Sequence, residues 1–80
     1  VEEPRRAGWA YVATPEQLGR WLREQRESLE LTQEQLADEL GITRQYLHEI
    51  ESGKPSLYTS RLFSLLRLLG ARLKVEGRNG

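Results

Sequence analysis

Two helix-start signals and two helix-stop signals fall within residues 32–53. Thr32-Gln33-Glu34-Gln35 has the form of a capping box: Thr32 accepts from the third helical N–H and Gln35 reaches back. Gly41 ends that helix near Leu40, because it accepts the left-handed backbone that a carboxyl cap demands. Thr43 caps a second helix, and Gly53 and Pro55 close it near Ser52. Leu36, Ala37 and Leu40 on one helix, and Leu47 and Ile50 on the other, are expected to face inward, with Ile42 plugging the turn.

The flanking chain extends this helical pattern. Thr14-Pro15-Glu16-Gln17 opens a helix to about Leu29, with Thr14 as cap, Pro15 at the first helical position and Gln17 completing a capping box. Leu18, Leu22 and Leu29 form its stripe, widened by Trp21 as core or interface. Ser56 caps a fourth helix to Leu69, closed by Gly70. There Leu62, Leu65, Leu66 and Leu69, extended by Phe63 and Leu68, span an arc of about 220°, wider than one core-facing stripe needs. Residues 71–76 alternate apolar and charged, as a half-buried strand does. The expected organisation is an arm over 1–13 with a short strand at 9–13, a helical domain over 14–70, a strand at 71–76 and a frayed tail at 77–80.

At 80 residues the chain is one small domain, and a core of this size usually needs help. There is no cysteine and only one histidine, so disulfides, thiolate chemistry and a His-based metal cage are not expected. Oligomerisation is left as the help. No apolar stretch reaches membrane-span length and no signal-peptide pattern opens the chain, so a cytoplasmic protein is expected. The first residue is Val rather than Met, as in a processed or trimmed chain. Net charge is zero, but residues 1–42 carry nine acids and five bases while 43–80 carry seven bases and three acids. A polyanion would meet the second half. The competing reading is that these charges only solvate a small surface.

A short helix, a turn at Gly41 and a second short helix make a helix-turn-helix unit. Small Ala37 lets the helices approach, and the first braces the second, whose outer face suits a major groove. The segment LTQEQLADELGITRQYLHEIESGKPS resembles the XRE (phage Cro/repressor-type) helix-turn-helix family at Leu31, Thr32, Gln33, Leu36, Ala37, Gly41, Ile42, Thr43, Leu47, Ile50, Glu51, Gly53 and Lys54. The likeness extends over residues 15–69. It implies an all-α, compact four-helix domain that binds operator DNA as a homodimer. Many members close with a fifth helix, whereas this chain offers a strand, a variant similar to the HipB-type antitoxins. That likeness implies a strand pairing across the dimer and a HipA-like kinase toxin as partner. It also implies an Arg26–Glu51 pair locking the recognition helix to the first helix.

On chemical grounds Arg44 and Gln45 open the outer face of the third helix, with His48 one turn on. Arg pairs bidentately with guanine and Gln with adenine, so these three are the candidate base readers. Gln33 has a free amide beside unpaired helix-start N–H groups, and Thr43, Ser52 and Lys54 lie where a sugar-phosphate backbone would pass. Tyr46 joins them, toward a thymine methyl or a phosphate. Each also has a plain reading as a solvated surface residue. Trp9 and Tyr11 read as packing residues rather than stacking platforms. Phe63, Leu68, Leu73 and Val75 are the expected dimer interface. The strand needs its edge covered, by its two-fold mate or by residues 9–13.

Three functions compete. The first is a repressor, the antitoxin of a toxin–antitoxin operon or a free-standing phage-type repressor. The second is a protein-binding module, favoured by the neutral charge, the acidic stretch at 24–39 and the surplus apolar surface. The third, an enzyme, is not expected: no nucleophile–base pair or metal spacing is present, no cofactor is implied, and Gly53-Lys54-Pro55-Ser56 lacks the preceding Gly of a phosphate loop.

Overall fold

A computed structural model describes residues 8–77. The elements run β1 (Trp9–Val12), α1 (Pro15–Ser28), α2 (Gln33–Leu40), α3 (Arg44–Ser52), α4 (Leu57–Leu68) and β2 (Leu73–Glu76). Local chemistry explains each boundary. Thr14, Thr32, Thr43 and Ser56 each accept a hydrogen bond from the N–H three residues on. The box at Thr32 is complete, with Gln35 accepting from the Thr32 N–H at 2.8 Å, and Ser56 and Thr59 form another. At α1 the expected box is displaced by one residue: Gln17 accepts from Ala13 N–H at 2.7 Å rather than from the cap. Gly41 and Gly53 end α2 and α3 at φ 71° and 73°. After α1, Glu30 holds the left-handed φ of 60° that glycine ordinarily takes.

The expected all-α architecture is corrected by a two-stranded sheet. β1 and β2 pair antiparallel, with Trp9 opposite Glu76, Ala10 opposite Val75, Tyr11 opposite Lys74 and Val12 opposite Leu73. Of the two partners expected for the strand at 71–76, its two-fold mate and residues 9–13, the second covers its edge, within the same chain. The ladder continues past β2, where Gly77 N–H donates to the Gly8 carbonyl, so Gly77 is not frayed. Residues 1–7 and 78–80 of the expected arm and tail lie outside the described residues. The two sheet faces differ sharply. Lys74 sits 5.0 Å from the Trp9 ring and Arg72 4.4 Å from the Tyr11 ring on the outer face. On the other face, Val12 and Leu73 meet Phe63 and Leu66 of α4.

The buried apolar residues are Val12, Ala37, Leu47 and Phe63. Phe63 is only 2% exposed, so its expected place in a dimer interface is corrected: it fills the core of its own chain. Leu73 and Val75 are half-buried, on the inner sheet face. Leu68 is fully outside, 85% exposed. Leu29, Leu40 and Ile50, expected inward, are exposed; Leu29 is the carboxyl cap of α1 and Leu40 the last residue of α2, where the chain turns away.

Two glycines let backbones touch. A Cβ on Gly19 of α1 would fall on the carbonyl oxygens of Ile50 and Glu51 in α3. A Cβ on Gly53 would fall on the backbone of Glu16. The end of α3 is thus pressed directly against α1. Among the described residues, no helix is long and apolar enough to cross a membrane, and no cluster of His, Asp or Glu is placed to hold a metal.

Candidate nucleic-acid interface

Arg26 anchors the site. Its Nε donates to Glu51 Oε2 at 2.7 Å and its Nη2 to Glu51 Oε1 at 3.0 Å, a bidentate pair. Its Nη1 donates to the Leu31 carbonyl at 2.7 Å. Gln33 Nε2 completes the network, donating to Glu51 Oε1 at 2.9 Å. One guanidinium therefore ties the end of α1 to the segment leading into α2 and to the end of α3. Both partners are largely sealed from water, with side-chain exposures of 10% for Arg26 and 3% for Glu51. Burial pushes the Glu51 carboxyl up, but hydrogen bonds from Arg26 and Gln33 and the charge of Arg26 outweigh it, and Glu51 titrates below its ordinary range. Hydrogen bonding to Glu51 raises the Arg26 pKa against the burial that would lower it.

An open groove of about 760 Å³ lies over this network, between the end of α1, the start of α2 and the outer face of α3. Arg44, His48 and Ser52 line it from α3, and Thr32, Gln33 and Glu34 from the start of α2. Arg44, Gln45 and His48 are all exposed. Leu47 and Glu51 are the buried residues of α3 and flank this stripe on the side packed against α1 and α2, where Glu51 also lines the groove. The periodicity explains the division: Arg44, His48 and Ser52 recur every four residues along one stripe.

The other expected contacts are dispersed. Thr43 Oγ1 accepts from Tyr46 N–H at 3.0 Å and acts as the cap. Gln33 does not carry the free amide expected of it, because its NH₂ is committed to Glu51. Gln45 Nε2 and Lys54 Nζ both reach Glu49 Oε2, at 3.3 and 3.4 Å. These two contacts and the charge of Lys54 hold the Glu49 carboxyl below its ordinary range. Ser52 Oγ donates to the Glu49 carbonyl at 3.0 Å. Tyr46 lies on the other flank of α3, with Ile50, against a mostly apolar groove floored by Leu18, Leu22 and Phe63. Sequence reasoning missed Arg23, which lines the main groove from α1 with its side chain 62% exposed and a 3.2 Å pair to Glu27. Its spacing of three from Arg26 was the available signal, since i and i+3 share a helix face.

The groove sets the exposed Arg44 guanidinium and His48 imidazole above the Arg26–Glu51 pair, with Glu34 on its lining as well. A helix-turn-helix family model matches residues 22–74, and the chain belongs to that family, of the XRE type, whose members are DNA-binding transcription regulators. No curated protein and no solved structure matches it significantly.

Proposed function

We propose that this protein is a sequence-specific transcriptional repressor, the antitoxin of a toxin–antitoxin operon, acting in the cytoplasm and binding a palindromic operator as a homodimer. The observation that carries DNA readout is the exposed ridge of Arg44, Gln45 and His48 on α3, whose buried flank is held by the Arg26–Glu51 pair. Arg44 offers two donors to the O6/N7 edge of guanine, Gln45 one donor and one acceptor to the N7/N6 edge of adenine, and His48 a single donor or acceptor one turn on. Thr43, Ser52 and Lys54 stand at the ends of α3, where phosphates would flank a helix in the major groove. Gln33 and Tyr46 are proposed as further backbone contacts, Gln33 through its remaining carbonyl or by exchanging its bond to Glu51. Two copies would place recognition helices about 34 Å apart on successive major grooves.

The antitoxin reading is supported by the strand that follows α4 in place of a fifth helix, the feature on which the chain resembles the HipB type. Its proposed partner is a HipA-like kinase toxin. The exposed leucines of α4 favour a second reading, a protein-binding module that neutralises a toxin with little DNA readout.

Operator selection from a random duplex pool, followed by gel-shift titration against operator and scrambled DNA, tests the first reading. Arg44→Ala is expected to lose about tenfold or more in discrimination, equivalent to the 1–3 kcal/mol of a bidentate contact. Lys54→Ala is expected to weaken both duplexes alike and flatten the salt dependence. A wild-type discrimination ratio in Arg44→Ala removes the base-reading assignment. Absence of co-purification with the kinase-like product of the adjacent reading frame removes the antitoxin role.

A further inference from the structure

We infer that the outward side of α4 is the surface on which a second copy of this chain docks, the two α4 helices running antiparallel about a two-fold axis. This deepens the homodimer reading by naming its contact surface, and it is tested without DNA so that it fails or stands alone.

The inward side of α4 is narrow. Phe63 is buried, and Thr59 and Leu66 beside it are half-buried. With 100° per residue, Tyr58, Leu62, Leu65 and Leu69 form a second stripe about 60° wide, centred about 100° from the first. Leu57 and Leu68 flank it beyond Arg61. Tyr58 is 76% exposed, Leu65 52% and Leu69 70%. The six apolar residues expose roughly 700 Å² together, above the ~300–600 Å² of the largest patch on a typical monomer and close to the ~800 Å² a partner contributes to a standard interface. The chain has reason to cover them, since its own core is small.

The shape of the patch is self-complementary. Its amino-terminal half is an open depression of about 620 Å³ lined by Leu57, Tyr58, Arg61, Leu62 and Leu65. Its carboxyl-terminal half carries the projecting Leu68 and Leu69. An antiparallel two-fold axis between Leu62 and Leu65 sets Leu62 against Leu65 of the second copy, and Tyr58 against its Leu69. The projecting end of each helix then fills the depression of the other. The two Arg61 side chains are offset along the axis by about 7.5 Å, so like charges are not opposed. β2 already has β1 on one edge, whereas the outward apolar residues of α4 have no partner among the described residues.

Sedimentation equilibrium of the full chain reads the result. The wild type is expected to dimerise at micromolar concentration. Tyr58→Lys and Leu69→Glu are each expected to weaken self-association by about tenfold or more. Mixed at equal concentration, they are expected to recover dimerisation to within about threefold of wild type, because the heterodimer sets one Lys against Glu and keeps one native Tyr–Leu contact. Both positions are exposed, so circular dichroism is expected to stay native. Should either variant unfold, Leu62→Glu mixed with Leu65→Lys repeats the same test. A wild type that stays monomeric at about 100 µM overturns the inference and assigns the patch to a different protein. Variants that dimerise like the wild type, or a mixture that fails to recover, overturn it equally.

Discussion

Every hydrogen-bonding nitrogen of Arg26 has a partner inside the chain, two on Glu51 and one on the Leu31 carbonyl. Lysine could not reproduce this, because an ammonium has no planar fork to match a carboxylate and a carbonyl together. Removing Glu51 leaves a buried guanidinium with the Leu31 carbonyl but without its carboxylate, and that uncompensated charge is the larger part of the cost. Glu51→Ala is therefore expected to lose about 3 kcal/mol, a fall in Tm of roughly 15 °C for a domain of this size. Equal melting curves would remove the pair's structural role. The same carboxyl sets an acid limit. Its pKa is depressed in the folded state, so its contribution is fully present above the unfolded carboxylate range near pH 4.3 and is lost as pH falls through the folded value. Stability is expected to hold from pH 8 to 5 and drop below, with a smaller drop in Glu51→Gln. Urea midpoints across pH check this.

Among the elements, α3 is held by close contact between backbones as well as by the Leu47 and Glu51 side chains. Gly53 ends it at φ 73° and lies against the Glu16 backbone, whereas Gly41 ends α2 at φ 71° with open space around it. The two glycines look alike in sequence, and only the packing separates them. Gly41→Ala is expected to cost about 1 kcal/mol, the left-handed backbone alone. Gly53→Ala adds overlap with α1 and is expected to cost about 2–4 kcal/mol. It is also expected to weaken DNA binding beyond the stability loss by shifting α3. Paired denaturation and gel-shift curves distinguish the two. At α4, periodicity located the helix but not its rotation. Leu62, Leu65 and Leu69 satisfy an inward stripe as well as Phe63 and Leu66 do. Tertiary packing decides, because Phe63 lies between Leu18 and Leu22 of α1 and Val12 and Leu73 of the sheet.

Among the described residues few apolar side chains are fully buried, and a broad apolar surface faces outward on α4. A dimer built there couples folding to association, so Tm is expected to rise with protein concentration. Calorimetry at about 10 and 500 µM checks this; an unchanged Tm would mean that α4 contributes nothing to stability through self-association. The caps at Thr14, Thr32, Thr43 and Ser56, the stops at Gly41 and Gly53 and the polar stripe of Arg44 and His48 were legible in the chain alone. Those features act over three or four residues, where local hydrogen bonding and backbone sterics suffice. What pairs with β2, which side of α4 faces in, whether the Gln33 amide is free and that Arg23 joins the groove were decided by tertiary structure. Each depends on residues distant in sequence competing for the same surface, and sequence periodicity carries no record of which competitor wins.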